Sequence, residues 1–543
     1  MALSNFVNML AVAAGVTGLI ADGGVCATPA RWGAADVLVE PSPFNAVQGL
    51  TVDHEGRLFA ASIFGGQIWS IDRATGATKV IVDRPEGQSD DIAFGPHGEM
   101  AWTSLLAGDV RYREHEDSGK IQVLASNLPG IDSIRFDPRS GRLYVTQDFL
   151  GDALWEIDRS GVRPPRLIAR NIGWLNGFDF GADGMIYGPL QGKAEIARID
   201  PANGHITVIA SGFSSPSGLK IAPNGDLWVV DAGNGQLVHI DRLTYRKTVA
   251  MQFEDALDNL AISREGEIYV SDPARSAIWD YTPASGKLRQ LVPTRVAIPA
   301  GLEISDGRLY VADAFEIQSV DLKSKAIREE SHYMNTPFPF TVSHARGRLA
   351  VSSIFSNVVE VFDQAWRPIA TIAGLAAPSD ALLLDDGSLI YSEYGKGQIV
   401  RASGADYAKR EIVVSGLNGP IQMTVAHDGN LYVTENSGIL AEISLASPGK
   451  ARDVISGLME PEGVAETPWG TLVVAEAGRH SLIEVDPKTG TKSVIADNLP
   501  IGLAVKSVLP PYTLPVGVAV DHDGTIYLSA DVNNAIYRFR VSQ

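Results

Sequence analysis

Short apolar runs separated by tight polar turns recur along almost the whole chain. One phrase repeats: a small turn, an apolar strand, an Asp-Gly, Asn-Gly or His-Gly pair, a second apolar strand, a loop, and a third strand closing on Asp. It reads QGLTVDHEGRLFAASIFGGQIWSID from Gln48 and SGLKIAPNGDLWVVDAGNGQLVHID from Ser217. It reads IQMTVAHDGNLYVTENSGILAEI from Ile421 and VGVAVDHDGTIYLSADVNNAIYRF from Val516. The glycine of each pair supplies the positive φ that a tight hairpin needs. Runs such as Leu-Tyr-Val are apolar without alternation, as expected of strands covered on both faces.

The residues that open the first strand of each repeat are Gln48, Asp90, Asp132, Asn176, Ser217, Asp258, Ala300, Phe340, Ser379, Ile421, Glu462 and Val516. Their spacing is roughly 40–45 residues, with one longer step before Val516 that contains Pro510 and Pro511. That period, with four strands per unit, predicts an all-β tandem β-propeller of about twelve four-stranded blades. Two rings of six are expected; seven plus five is the less balanced alternative. Only about three strands follow Val516, and Ala35–Glu40 is a lone strand before the first repeat. It is expected to complete the last blade. The division predicted is 1–33 as an N-terminal segment, 34–47 as the closure strand, 48–298 as the first propeller and 299–543 as the second.

Composition adds limits. The 543 residues are 45% hydrophobic, with 54 glycines and a net charge of -19. An acidic chain is repelled by phosphate backbones, which argues against a nucleic-acid partner. The single cysteine, Cys26, excludes a disulfide framework within the chain. Leu3 to Ile20 is apolar and uncharged. It reads equally as the apolar part of a secretory signal or as a packed helix between Ser4 and Gly23-Gly24, so cytoplasmic and secreted or periplasmic locations both stay open. Asn5, Asn8, Gly15 and Gly18 argue against a membrane span. Oligomeric state is not legible.

In a propeller, the first strand of every blade lines the axis, and its opening residue points into the mouth of the central tunnel. The first six openings are all polar and three are acidic, with Asp91 and Asn259 beside them. Crowded carboxylates repel unless something neutralises them. Hard oxygen donors suit a divalent cation: calcium first, then magnesium, manganese or zinc. The six openings of the second ring are mostly apolar. Loops after second strands would wall a small-molecule pocket, and in the first ring they carry Ser62, Phe64, Gln147, Asp148, Asp231, Asn234 and Asp272. The repeated aspartates after third strands (Asp72, Asp158, Asp200, Asp241) read as turn residues. No Gly-x-Ser-x-Gly elbow is present.

Leu175-Asn176-Gly177 and Asp258-Asn259 resemble strand openings of the SMP-30/gluconolactonase/paraoxonase family of six-bladed propellers. That resemblance implies an axial divalent metal held by Asp90, Asp132, Asn176 and Asp258. It also implies hydrolysis of a lactone or ester, with Asp258 and Asp132 as catalytic carboxylates and Gln48, Ser217, Asn259, Gln147, Asp148 and Asp231 toward the substrate. The family's glutamate at the first opening is Gln48 here. LYVTEN and the Pro-x-Gly openings of the second ring resemble virginiamycin B lyase, which makes a carbon–oxygen lyase the alternative enzyme. His332, His344, His427 and His480 are loose matches for that family's histidine, and Glu393, Glu435 and Glu476 recur at second-strand ends. NHL-type propellers share much of the repeat, and a non-catalytic propeller that binds a protein or glycan is the reading outside enzymes.

Overall fold

In the computed structural model the described residues are 31–542, apart from 149, 254–255, 294–295, 332–337 and 506–514. The expectations for Leu3–Ile20, Cys26, His332 and the loop at Pro510-Pro511 fall outside them. Twelve four-stranded antiparallel sheets make up the fold. No α-helix occurs among the described residues, and none is long and apolar enough to cross a membrane.

Each sheet is an up-and-down blade. Blade 1 runs Val47–Val52, Leu58–Ser62, Ile68–Ile71 and Thr78–Val82; blades 2 to 6 have first strands Ile92–Phe94, Ile131–Phe136, Asp179–Phe180, Pro216–Ile221 and Leu260–Ile262. The first strand of blade 1 packs against the first two strands of blade 6, which closes ring one. Blades 7 to 12 open with Pro299–Ser305, Thr341–Ala345, Asp380–Leu383, Pro420–Val425, Pro461–Glu466 and Val518–Val520. The first strand of blade 7 packs against blade 12, which closes ring two. The architecture is thus a tandem of two six-bladed propellers.

Blade 12 is completed from the other end of the chain. Asp36–Val39 is its outermost strand, pairing antiparallel with Ala535–Phe539 in the register Asp36↔Arg538 and Val37↔Tyr537. The Trp32 indole donates to Gly524 O at 2.9 Å, and Arg538 pairs with Asp36. The described residues therefore pass from ring two at Asp36–Val39 through ring one and back to finish ring two.

Crowding at the axes explains the glycine after several strand openings. A Cβ on Gly301 would lie 2.7 Å from the Thr341 Cα of the next blade, so only a bare backbone fits there. The core is divided among the gaps between blades, as in the cluster of Leu143, Val145, Ile134 and Val110. One cluster joins the rings. Ala46, Phe64, Ala256 and Ala274 of ring one meet Ile298, Ala300, Phe315, Phe338 and Phe340 of ring two. Around it Arg84 donates to Val532 O at 3.0 Å, and Arg275 pairs with Glu329 at 3.0 Å.

Candidate functional site

The mouth of ring one is built by strand openings and by one second-strand end. Asp90, Asp132 and Asn176 are buried there, Asp258 is half-buried, and Asp148 is fully enclosed. The Asp132 carboxyl is within hydrogen-bonding reach of both Asp90 and Asp148. Two carboxyl groups share a hydrogen bond only when one keeps its proton. Burial, reinforced by Asp132, Asp258 and Asp148, pushes Asp90 well above the usual carboxylate range. Burial does the same to Asp148, reinforced by Asp132, Asp258 and Asp152. Asp258 is pushed up to about 7 by burial and by Asp132 and Asp91, with Lys220 opposing.

The surrounding polar groups are partly committed. Asn176 Oδ1 accepts from Gly177 N at 2.6 Å and from Ser133 Oγ at 3.4 Å. Its amide nitrogen reaches Asp148 Oδ2 at 3.4 Å and Gln191 Oε1 at 3.3 Å. Ser217 Oγ donates to the backbone carbonyl of Asp258. Gln48 Oε1 and Asp148 Oδ1 are buried acceptors with no hydrogen-bond donor among the described residues. As the carboxyls are set, no group of three or more His, Cys, Asp and Glu side chains among the described residues is arranged to hold a metal ion. The donor set is nevertheless all hard oxygen, and its two orphaned acceptors are of the kind a divalent cation takes.

One layer deeper, the axis carries two cations that sequence reasoning passed over. Arg135 donates to Asp91 Oδ2 at 2.9 Å, with the guanidinium and the carboxylate both buried. Lys220 is buried, and its ammonium is 3.3 Å from Leu219 O and 3.4 Å from Asn259 Oδ1. Burial and the nearby Arg135 pull the Lys220 amine down to about 7, with Asp91, Asp179 and Asp258 opposing. Asn259 Oδ1 also accepts from Leu260 N at 2.8 Å, which places Asn259 in this deeper layer. The available signal was a charge inside an apolar first strand, as in SIRF and GLKI.

The ends of the second strands divide into two jobs. Asp231 accepts from Ser214 N at 3.0 Å and Ser215 N at 2.8 Å, tying down the loop that enters its own blade. Gln147 holds the matching position in blade 3. It donates to Pro129 O at 2.7 Å and accepts from the Trp155 indole at 3.2 Å. Glu393, Glu435 and Glu476 accept from Ala376 N, Asn418 N and Met459 N in the same way. These groups are loop fasteners. Asp148, one residue past Gln147, turns instead toward the acidic mouth. Phe64 packs between the rings.

Ring two has an apolar mouth. Ala300 and Phe340 lie in the cluster between the rings, Val516 is buried in its own core, and Ser379 donates to Pro420 O at 2.6 Å. Glu462 accepts from Val516 N at 2.7 Å.

The NHL repeat family model matches residues 213–240, in blade 5. Comparison with curated proteins finds no match. Among solved structures, the tricorn protease is similar at 13% identity and a TM-score of 0.37, over 93% of this chain. The chain spans 62% of that structure's length. Virginiamycin B lyase from Staphylococcus aureus is similar at 15% identity and a TM-score of 0.25, over 60% of this chain and 95% of that one. A gluconolactonase-family structure is similar at 13% identity and a TM-score of 0.37, over 49% of this chain and 94% of that one.

Proposed function

We propose that the mouth of ring one is the active site of a hydrolase that acts on a lactone or ester and uses a divalent cation. The observation that carries the proposal is the carboxyl group of Asp132 lying against both Asp90 and Asp148, with Asp258 close by. Three buried acids and a half-buried fourth at one mouth are costly, and a cation among them relieves that cost. Asp90, Asp132, Asp148 and the carbonyl oxygen of Asn176 would hold it, with calcium the first candidate. Bound there, it would polarise the substrate carbonyl. Asp258 reaches partly into solvent at the mouth and takes the proton from an attacking water. Lys220 beneath it steadies the charge of the base. The Gln48 carbonyl accepts a hydrogen bond from a substrate hydroxyl.

The test pairs binding with turnover. Aldonolactones and aryl esters are offered to the full chain with and without added calcium, and to Asp258→Asn. Cation-dependent hydrolysis that falls at least 100-fold in the variant supports the reading. Activity that ignores both the cation and the substitution overturns it.

The NHL match over 213–240 favours a second reading, a propeller that binds a protein or glycan without turning it over. Tight calcium binding at ring one together with hydrolysis would count against it.

A further inference from the structure

The two rings carry the same axial carboxylate, and only one of them supplies its own counter-charge. In ring one, Asp91 Oδ1 accepts from Ile92 N at 2.9 Å. Its Oδ2 accepts from Ile134 N at 3.3 Å in the next blade, and from the Arg135 guanidinium at 2.9 Å. In ring two, Asp380 repeats the backbone pattern. Its Oδ1 accepts from Ala381 N at 2.8 Å, and its Oδ2 from Met423 N at 2.7 Å in the next blade. The residue after Met423, where ring one has Arg135, is Thr424. No arginine enters, and the axis of ring two is a cavity of about 370 Å³ lined by first strands from all six blades.

The walls of this cavity are specific. Glu303 and Asp380 line it from blades 7 and 9, and the Asp380 charge adds to the cost of ionising Glu303. No lysine or arginine is among the described residues that line it. Gln422 is 6% exposed, lies in the same wall, and its amide nitrogen has no hydrogen-bond acceptor among the described residues. A buried donor without an acceptor is costly and calls for an oxygen in the cavity. At the open end His427 is capped by Glu466, Nδ1 to Oε2 at 2.6 Å, and its ring is largely exposed.

We infer that the axial cavity of ring two is a binding site for a small organic cation, a guanidinium or ammonium compound that carries an acceptor oxygen. The cationic group takes the place that Arg135 fills in ring one, against Asp380 and Glu303. The oxygen accepts from Gln422. The site is separate from the mouth of ring one and needs no chemistry there.

The probe is L-arginine, whose guanidinium and carboxylate match both features. L-citrulline replaces the guanidinium with a neutral urea of the same shape. Saturation-transfer NMR and calorimetry are run on the full chain. Arginine is expected to bind at least tenfold more tightly than citrulline. That preference is expected to vanish in Glu303→Gln and in Thr424→Arg, which installs ring one's own solution. Thr424→Arg restores the pairing seen in ring one, so it keeps the test valid if Glu303→Gln folds poorly. Arginine that fails to bind at 10-fold molar excess over millimolar protein (about 10 mM), binds no better than citrulline, or binds Thr424→Arg unchanged overturns the inference. Asp258→Asn in ring one is expected to leave arginine binding intact, so this result and the hydrolase result stand apart.

Discussion

Arg135 donates to Asp91 at 2.9 Å between the adjacent blades 3 and 2 of ring one, and both groups are shut away from solvent. Removing one partner of such a pair strands the other charge, at a cost of about 3–5 kcal/mol. Arg135→Leu should therefore destabilise the chain by that order, measured by chemical denaturation. Arg135→Leu combined with Asp91→Leu should recover part of the loss, because the pair's own charges are gone while Ile92 N and Ile134 N lose their acceptor.

Lys220 gives a pH prediction of definite sign. Its folded-state amine sits at about 7, below the ordinary lysine value, so the folded chain releases a proton that the unfolded chain keeps. Stability should then rise as pH climbs from 7 toward 10, on the order of 1–3 kcal/mol. Lys220→Met should flatten that rise while leaving the blades assembled, as read from denaturation midpoints across pH.

Glu303 works in the opposite sense. Burial, together with Asp380, pushes its carboxyl up to about 8, with the His344 amide opposing. The folded chain keeps a proton that the unfolded chain gives up, so stability is fully present below the unfolded pKa and is lost as pH rises through 8. The loss between pH 5 and 8 should be roughly 1–2 kcal/mol, at the low end because the cavity leaves the carboxyl partly exposed. Glu303→Gln should remove that slope.

The ring-closing strand can be tested locally. Val37 pairs with Tyr537, and proline there removes a ladder donor and clashes with the pairing. Val37→Pro should strip hydrogen-exchange protection from Ala535–Phe539 first, with the six blades of ring one retaining theirs. Uniform loss in both rings would mean that closure is not local to blade 12.

Much of the fold was legible because its signals are local. The glycine pairs mark the hairpins, and the strand openings mark the axis, so blade count and the closing role of the strand near Asp36 followed from spacing. The site was legible only as a set of positions. Spacing placed Asp90, Asp132 and Asp258 at one mouth, but not the contact of Asp132 with Asp148. Gln147 and Asp148 are neighbours in sequence and face different surroundings: Gln147 fastens a loop, while Asp148 joins the acids. Asp231 and Asp148 both follow second strands, yet Asp231 ends its strand as Gln147 does and is a partner for Ser214 and Ser215. Arg135 and Lys220 were obscured because a long charged side chain in an apolar strand reads as solvent-facing until the ring closes around it.

Calcium titration by calorimetry on the full chain tests the central claim most directly. The account predicts one tight site per chain that is lost in Asp132→Asn, lost in Asp148→Asn, and unchanged in Glu303→Gln. A chain that takes up no divalent cation, or one whose binding survives both ring-one substitutions, would contradict it.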